Sequence, residues 1–286
     1  MVNFMKILSF GEIIWDIYEN ERFIGGAPLN FAAHTVRRGA ETYMLSAIGC
    51  DALGKMAKEQ LRGMGIRTDY LSETEKPTGR CLVTLDNDGV PKYEVIQGVA
   101  YEAIPLPTTL KEQEFSVLAF GSLALRTADN REIVEKIINE KICKTTYCDL
   151  NLRAPFYTCE TVRFCLERAN ILKLSEDEFF YVKNSLQIKE EQIQAVCRAI
   201  VAALPNLEIL VVTFGEKGSC AYAKKNQQFV TMESESVNVV STVGAGDSFG
   251  AAFLTEYLQG KDLQACLRAG TKLSAYVVAH KAAVPD

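Results

Sequence analysis

Short apolar runs alternate with longer amphipathic ones along most of this chain, and no other feature narrows its fold as far. Strand-like runs stand at 6–10, 43–48, 116–120, 145–150, 170–174 and 208–214. Around them, apolar residues recur with helical spacing at 29–38, 52–64, 129–140, 158–169, 189–204, 245–259 and 262–280. Gly39 and Gly65 close the first two of these, as a residue free to adopt positive φ does at a helix C-terminus. Strands and helices alternating at these lengths build βαβ units and a mostly parallel sheet covered on both faces. A strand buried on both sides is apolar throughout, and the run Ile209-Leu210-Val211-Val212 fits that description.

Two β-rich stretches, 12–23 and 81–96, fall outside the alternation. The second is interrupted by an Asp-Asn-Asp-Gly turn at 86–89 and predicts a hairpin. Both are accommodated by a small sheet standing off the main one. The sequence has no internal repeat, no low-complexity tract and no linker rich in Pro, Gly and Ser. Its 286 residues therefore form one domain, 1–286, with an inserted flap. A chain of this size buries roughly three-quarters of the surface it exposes when unfolded.

Charge and cysteine usage exclude several functions. The net charge is −5 and the Lys and Arg residues form no run, so a nucleic-acid surface is not expected. No apolar run approaches the roughly 18 residues of a membrane span. The first ten residues carry one Lys and a short apolar stretch, a poor signal peptide. The nine Cys are odd in number, irregularly spaced and without a C-x-x-C. With only His34 and His280 as imidazoles, a multi-histidine zinc site is ruled out, and a Cys₄ site lacks the paired spacing. Reduced, mostly buried thiols and a cytoplasmic location are expected.

The residues that carry chemistry lie near the end of the chain. In Val239-Val240-Ser241-Thr242-Val243-Gly244-Ala245-Gly246-Asp247-Ser248-Phe249-Gly250, a β-rich run enters a glycine-rich turn and continues into an apolar-periodic helix. The first N–H groups of a helix lack intrahelical partners and, with the helix dipole, favour an anion. Asp247 beside them is a carboxylate free to accept a proton, a combination suited to phosphoryl transfer. The same motif also serves as a plain turn with an Asp at a helix start. The spacing is not the dinucleotide G-x-G-x-x-G, and the chain contains neither G-x-x-x-x-G-K-[ST] nor G-x-S-x-G. A second motif, Gly25-Gly26-Ala27-Pro28-Leu29-Asn30, opens the helix that ends at Gly39. Its glycines allow close backbone approach and Asn30 offers both donor and acceptor, which suits a polyhydroxylated ligand; a proline-started helix after a tight turn has the same pattern.

These residues meet a known family. The stretch 25–49, with Asn30, Ala32 and Gly39, resembles the N-terminal signature of the ribokinase-like (PfkB) carbohydrate kinases. Val243-Gly244-Ala245-Gly246-Asp247 resembles their C-terminal signature, usually D-T-x-G-A-G-D. Counterparts at 11–16, 148–156, 172–179 and 212–218 carry the resemblance over essentially the whole chain. Gly11-Glu12 with Asp16, Asp149-Leu150-Asn151-Leu152-Arg153 and Lys173-Leu174-Ser175 are most similar to bacterial fructokinases.

The resemblance implies a three-layer α/β/α sandwich with a mostly parallel central sheet and a small β-sheet lid from segments near 12–28 and 80–100. It implies an ATP-dependent kinase for a primary sugar hydroxyl, D-fructose before ribose, 2-keto-3-deoxygluconate or a nucleoside. A non-catalytic sugar-binding regulator on the same scaffold is the alternative of a different class. Asp247 becomes the general base and Gly244, Ala245 and Gly246 the anion hole, with Arg153 reaching the phosphate region. Asp16, Gly25, Gly26 and Asn30 hold the sugar, and Lys173, Thr213, Gly215 and Gly218 line the nucleotide site. Glu178 contacts Mg²⁺ through water. Ser241 replaces the first Asp of the C-terminal signature, which leaves potassium activation open, and Ser175 replaces the Asn of an N-x-x-E motif. Open edges on the lid suggest a homodimer. His34 reads as structural, and Tyr101 and Phe156 as pocket or packing residues. Trp15 should face away from Asp16, because neighbours on a strand point to opposite sides.

Overall fold

Consecutive residues of a strand point to opposite faces of its sheet, and here both sets are apolar. Ile7, Val117, Ile171, Ile209 and Val211 belong to one buried cluster; their neighbours Leu8, Leu118, Leu172, Leu210 and Val212 belong to another. Such strands require cover on both sides. A computed structural model describes residues 5–19, 21–85 and 91–286; the expected turn at 86–89 lies outside the described residues.

In chain order the strands are β1 Lys6–Phe10, β2 Ile14–Ile17, β3 Arg22–Gly25, β4 Glu41–Gly49, β5 Leu71–Thr74, β6 Gly79–Leu85 and β7 Pro91–Val95. They continue as β8 Phe115–Gly121, β9 Cys143–Asp149, β10 Ile171–Ser175, β11 Ile209–Thr213, β12 Ser219–Ala223 and β13 Gln228–Met232. The helices are α1 Ala27–Arg37, α2 Ala52–Gly63, α3 Ala128–Asn139, α4 Cys159–Arg168, α5 Glu176–Ser185, α6 Ile193–Ala203, α7 Ala245–Leu258 and α8 Leu263–Val278.

Among the described residues the main sheet has nine strands, ordered β13-β12-β11-β10-β9-β8-β1-β4-β5. All neighbours from β11 to β5 are parallel, and β12 and β13 extend the far edge antiparallel. Phe31 of α1, Phe249 and Phe253 of α7 and Leu267 of α8 cover one face, joined by α2 over Met44 and Ile48. Val134 of α3, Val162 of α4, Val182 of α5 and Ile200 of α6 cover the other. The result is the three-layer sandwich with a mostly parallel centre that the alternation predicts. Helix α5 has no counterpart in the sequence reading because only Glu178, Phe179 and Val182 of it are buried, too few for a clear period.

The small separate sheet is ordered β3-β2-β6-β7, with β2 and β6 parallel and the outer pairs antiparallel. Trp15 on β2 is buried among α1 and α2 residues, and its Nε1 donates to the Leu53 carbonyl (3.1 Å). It anchors the small sheet, while Asp16 faces the other way. All nine cysteines are unbridged thiols. Among the described residues, no helix is long and apolar enough to cross a membrane.

Candidate active site

In parallel α/β sheets, ligands bind beyond the carboxyl ends of the strands. Here those ends present Glu12 just past β1, Asp149 at the end of β9 and Thr213 at the end of β11, and the N-termini of α1 and α7 meet them from one face. Two glycines make the helix starts possible. Gly244, the cap of α7, has φ 78°, and a Cβ there would lie 2.6 Å from the Ala283 Cβ. Gly26, the cap of α1, has φ 112°, and a Cβ there would lie 2.5 Å from the Glu12 carbonyl oxygen. The tail behind Gly244 is held by His34, whose Nε2 lies 2.9 Å from the Ala283 carbonyl oxygen, a structural role for that imidazole.

The two helix starts are joined through side chains. Asn30 Nδ2 donates to Asp247 Oδ2 (2.8 Å), linking the two sequence motifs across 217 positions. Asp247 is partly buried, and its pKa is raised to about 6, first by desolvation and then by the charge of Asp149; Asn30, Lys173 and Arg153 pull the other way. In the first turn of α7, Ala245 N–H donates to Thr242 and Ser248 N–H to Gly244. The N–H groups of Gly246 and Asp247 have no acceptor among the described residues. A proton acceptor thus stands beside two free amides at a positive helix end.

Lys173 lies beneath this turn. Its Nζ donates to both oxygens of Asp149 (3.1 and 2.8 Å), and a Cβ on Gly246 would lie 3.1 Å from the same nitrogen. Burial disfavours its charge, but Asp149, with Glu178 and Asp247, holds its pKa above the ordinary lysine value. The structure therefore groups Lys173 with Asp149 and α7. Arg153, exposed on the loop after β9, lowers the pKa of both Glu12 and Asp247 by its charge and so belongs to the same cluster.

Two further groups of residues expected at the site stand on other segments. Asp16 is half-buried with its pKa raised by desolvation, and a Cβ on Gly25 would lie 3.7 Å from its Oδ2. On the opposite flank, Thr213 Oγ1 donates to the Leu174 carbonyl (3.4 Å), and Gly215 and Gly218 turn the chain from β11 into β12 at φ 57° and 99°. Glu178 is buried and accepts from Leu152 N–H (2.6 Å) and Ser175 N–H (2.8 Å), so it fixes the loop that carries Arg153. Ser241 Oγ accepts from Val243 N–H (3.2 Å) and closes the turn before Gly244.

Sequence reasoning assigned no site role to Glu12, Asp149 or Tyr147. Asp149 and Glu12 carry a legible signal, a charged residue at or just past the carboxyl end of an apolar strand. Tyr147 carries none: its ring stacks on Phe31 at 5.2 Å, and its hydroxyl fills the space a Cβ at Gly250 would occupy, 2.1 Å away. Tyr147, Asp149 and Asp247, with Ser9, Pro28 and Phe120, line a small open cavity of about 20 Å³. Gly250→Ala should destabilise the protein by about 1–3 kcal/mol through overpacking. Adding Tyr147→Phe should recover most of that loss in urea unfolding, and no recovery would show that the clash lies elsewhere.

A parallel sheet with a carboxyl group of raised pKa and an open helix start at its carboxyl end is the arrangement expected of a group-transfer enzyme of the kinase type. The chain belongs to the pfkB family of carbohydrate kinases, whose model matches residues 5–286. It is 27% identical to fructokinase-2 of Solanum lycopersicum over 310 aligned positions, covering 98% of this chain and 92% of that protein. It is 29% identical to a sugar kinase of Pyrococcus horikoshii, covering 91% and 85%. The ATP complex of the Pyrococcus horikoshii sugar kinase superposes with a TM-score of 0.82 at 26% identity, covering 97% and 94%. Fructokinase of Vibrio cholerae with fructose, ADP and calcium shares the fold, with a TM-score of 0.82 at 19% identity over 98% and 94%.

Proposed function

We propose that this carbohydrate kinase transfers the γ-phosphoryl group of ATP to the primary hydroxyl of a small sugar, D-fructose, giving fructose 6-phosphate. The observation that carries the reading is the Asn30–Asp247 hydrogen bond, which sets a base of raised pKa at the free amides of α7. Asp247 takes the proton of the attacking hydroxyl, which a general base near the operating pH does well. The amides of the Gly244–Asp247 turn and the Arg153 guanidinium stabilise charge on the transferring group. Asp16, Gly25, Gly26 and Asn30 hold the sugar's other hydroxyls, and Thr213, Gly215 and Gly218 line the nucleotide. Closure of the small sheet over the sugar excludes water and limits wasteful hydrolysis.

Magnesium on the nucleotide phosphates neutralises charge in such transfers. Among the described residues no three His, Cys, Asp or Glu side chains form a cage, which suits an ion carried in on the nucleotide. Glu178 spends one lone pair of each oxygen on backbone amides and keeps the others for a magnesium-bound water. Fructose is favoured because the named relatives include fructokinases of tomato and potato.

An ADP-release assay with Mg-ATP across fructose, ribose, 2-keto-3-deoxygluconate, mannose and nucleosides, with and without potassium, tests the reading. Fructose should give the highest kcat/KM by at least tenfold. A different preferred member replaces the sugar and keeps the kinase; no turnover by a folded protein rejects both.

A further inference from the structure

Glu12 is a buried carboxylate to which the mechanism above gives no task. It is 3% exposed, and its Oε2 has no hydrogen-bond partner. Buried polar atoms are almost always paired, and a charged one left unpaired is costly, so an orphan at a ligand site marks where the ligand completes the bond. Asn30 Oδ1, on the same helix α1, is likewise buried and unpaired. The rest of the Glu12 carboxylate is accounted for. Burial pushes its pKa up to about 7, against the pull of hydrogen bonds from its own backbone N–H and that of Ala27, which favour the charged form. The carboxylate thereby caps α1, whose N-cap Gly26 has no side chain to do so.

The charged neighbours of Glu12 are residues of the candidate site. Glu12 feels the charges of Asp247 and Arg153, and its own charge acts on Tyr101. A Cβ on Gly26 would lie 3.4 Å from the Glu12 Cγ, an ordinary contact distance, so the Glu12 side chain runs alongside the glycine that opens α1. We propose that Glu12 Oε2 accepts a hydrogen bond from a sugar hydroxyl other than the one Asp247 deprotonates, and that it selects uncharged polyols over sugar acids and sugar phosphates. Two orphan acceptors, Glu12 Oε2 and Asn30 Oδ1, ask for two hydroxyl donors on one small ligand. Above pH 7, where Glu12 is mostly ionised, an anionic substituent at the same place meets a carboxylate with no solvent between them. The proposal rests on the sugar-kinase reading and adds the substrate class to it.

The test compares wild type with Glu12→Gln on fructose and its 1-, 3- and 4-deoxy analogues; if the panel prefers another sugar, that sugar's deoxy series is used. Gln keeps the volume and one carbonyl oxygen for the α1 cap. At pH 8, above the Glu12 pKa of about 7, wild type should lose about 10- to 100-fold in kcat/KM on one analogue, mainly through KM, as expected for a hydrogen bond to a charged group. Glu12→Gln should lose a similar factor on the parent sugar and nothing further on that analogue, with KM for ATP unchanged. Equal losses for every analogue in both proteins, or an unchanged sugar KM in the variant, would make Glu12 a helix cap only and overturn the proposal. If Glu12→Gln does not fold, Glu12→Asp, which keeps the charge and withdraws the oxygen, enters the same comparison. Turnover of no sugar rejects the kinase reading together with this one, whereas turnover with additive losses rejects this one alone.

Discussion

Asp247→Asn should lower kcat by about two to four orders of magnitude, the usual contribution of a positioned general base, and leave sugar affinity nearly unchanged. The amide oxygen of Asn still accepts from Asn30 Nδ2, so the link between α1 and α7 survives while the base is lost. In wild type, kcat/KM should rise about tenfold per pH unit up to pH 6 and level off above it, following the Asp247 pKa of about 6. That acid limb should be absent from the residual activity of the variant. Full activity in Asp247→Asn would reject Asp247 as the base.

The same substitution should stabilise the protein. A carboxyl whose pKa rises from 3.8 to about 6 on folding favours the neutral folded form. Its contribution is fully present below pH 3.8 and is lost as pH rises through 6. At neutral pH the ionised group therefore opposes folding, by up to about 2 kcal/mol after allowance for its partial exposure. Asn removes that opposition. Urea titrations should show the variant ahead at pH 7 and level with wild type near pH 4. A variant less stable than wild type at pH 7 would mean that the carboxylate is a structural tie rather than a strained catalytic group.

How far the sequence carries this picture depends on whether a feature is local. The alternation of apolar runs reveals the sandwich because each buried strand and amphipathic helix announces itself within a few residues. The Gly244-Ala245-Gly246-Asp247 turn is legible for the same reason, since the left-handed cap and the helix behind it are contiguous. Helix α5 escapes periodicity, yet Ser175-Glu176-Asp177-Glu178 forms a capping box, with the Ser175 hydroxyl on Glu178 N–H and the Glu178 carboxylate on Ser175 N–H. That signature was available and marks the helix start. Strands β12 and β13 follow β11 with only a single 3-10 turn, Gly215–Lys217, and no α-helix between, so the alternation gives no warning of an antiparallel edge. The Lys173–Asp149 pair is of another kind. It exists because β10 and β9 lie side by side in a register that sets Lys173 opposite Asp149, and strand order is not written at either residue. The association of Tyr147 with Gly250 is equally non-local, between a strand and the helix laid across it.

Lys173→Met tests what that non-local pair does for the chemistry. The Lys173 and Asp149 side chains are 5% and 16% exposed, so removing the ammonium leaves a carboxylate in a poorly solvated place without its counterion. Breaking a buried pair from one side costs about 3–5 kcal/mol, which urea unfolding at neutral pH would read directly. Activity should fall for a separate reason. Lys173 lowers the Asp247 pKa and Asp149 raises it, so losing the cation leaves the raising influence unopposed. Asp247 would then be largely protonated at pH 7 and unable to take the hydroxyl proton. The signature is an acid limb of kcat/KM moved above pH 6, with activity returning as the assay is taken toward pH 8 or beyond. Lys173→Met with Asp149→Asn removes both charges and should bring back stability and the limb near pH 6 together. If Lys173 instead acts by touching the transferring phosphoryl group, the loss would be the same at every pH and the second substitution would not relieve it. A pH-independent loss would therefore move Lys173 from positioning the charge of Asp247 to direct contact with the substrate.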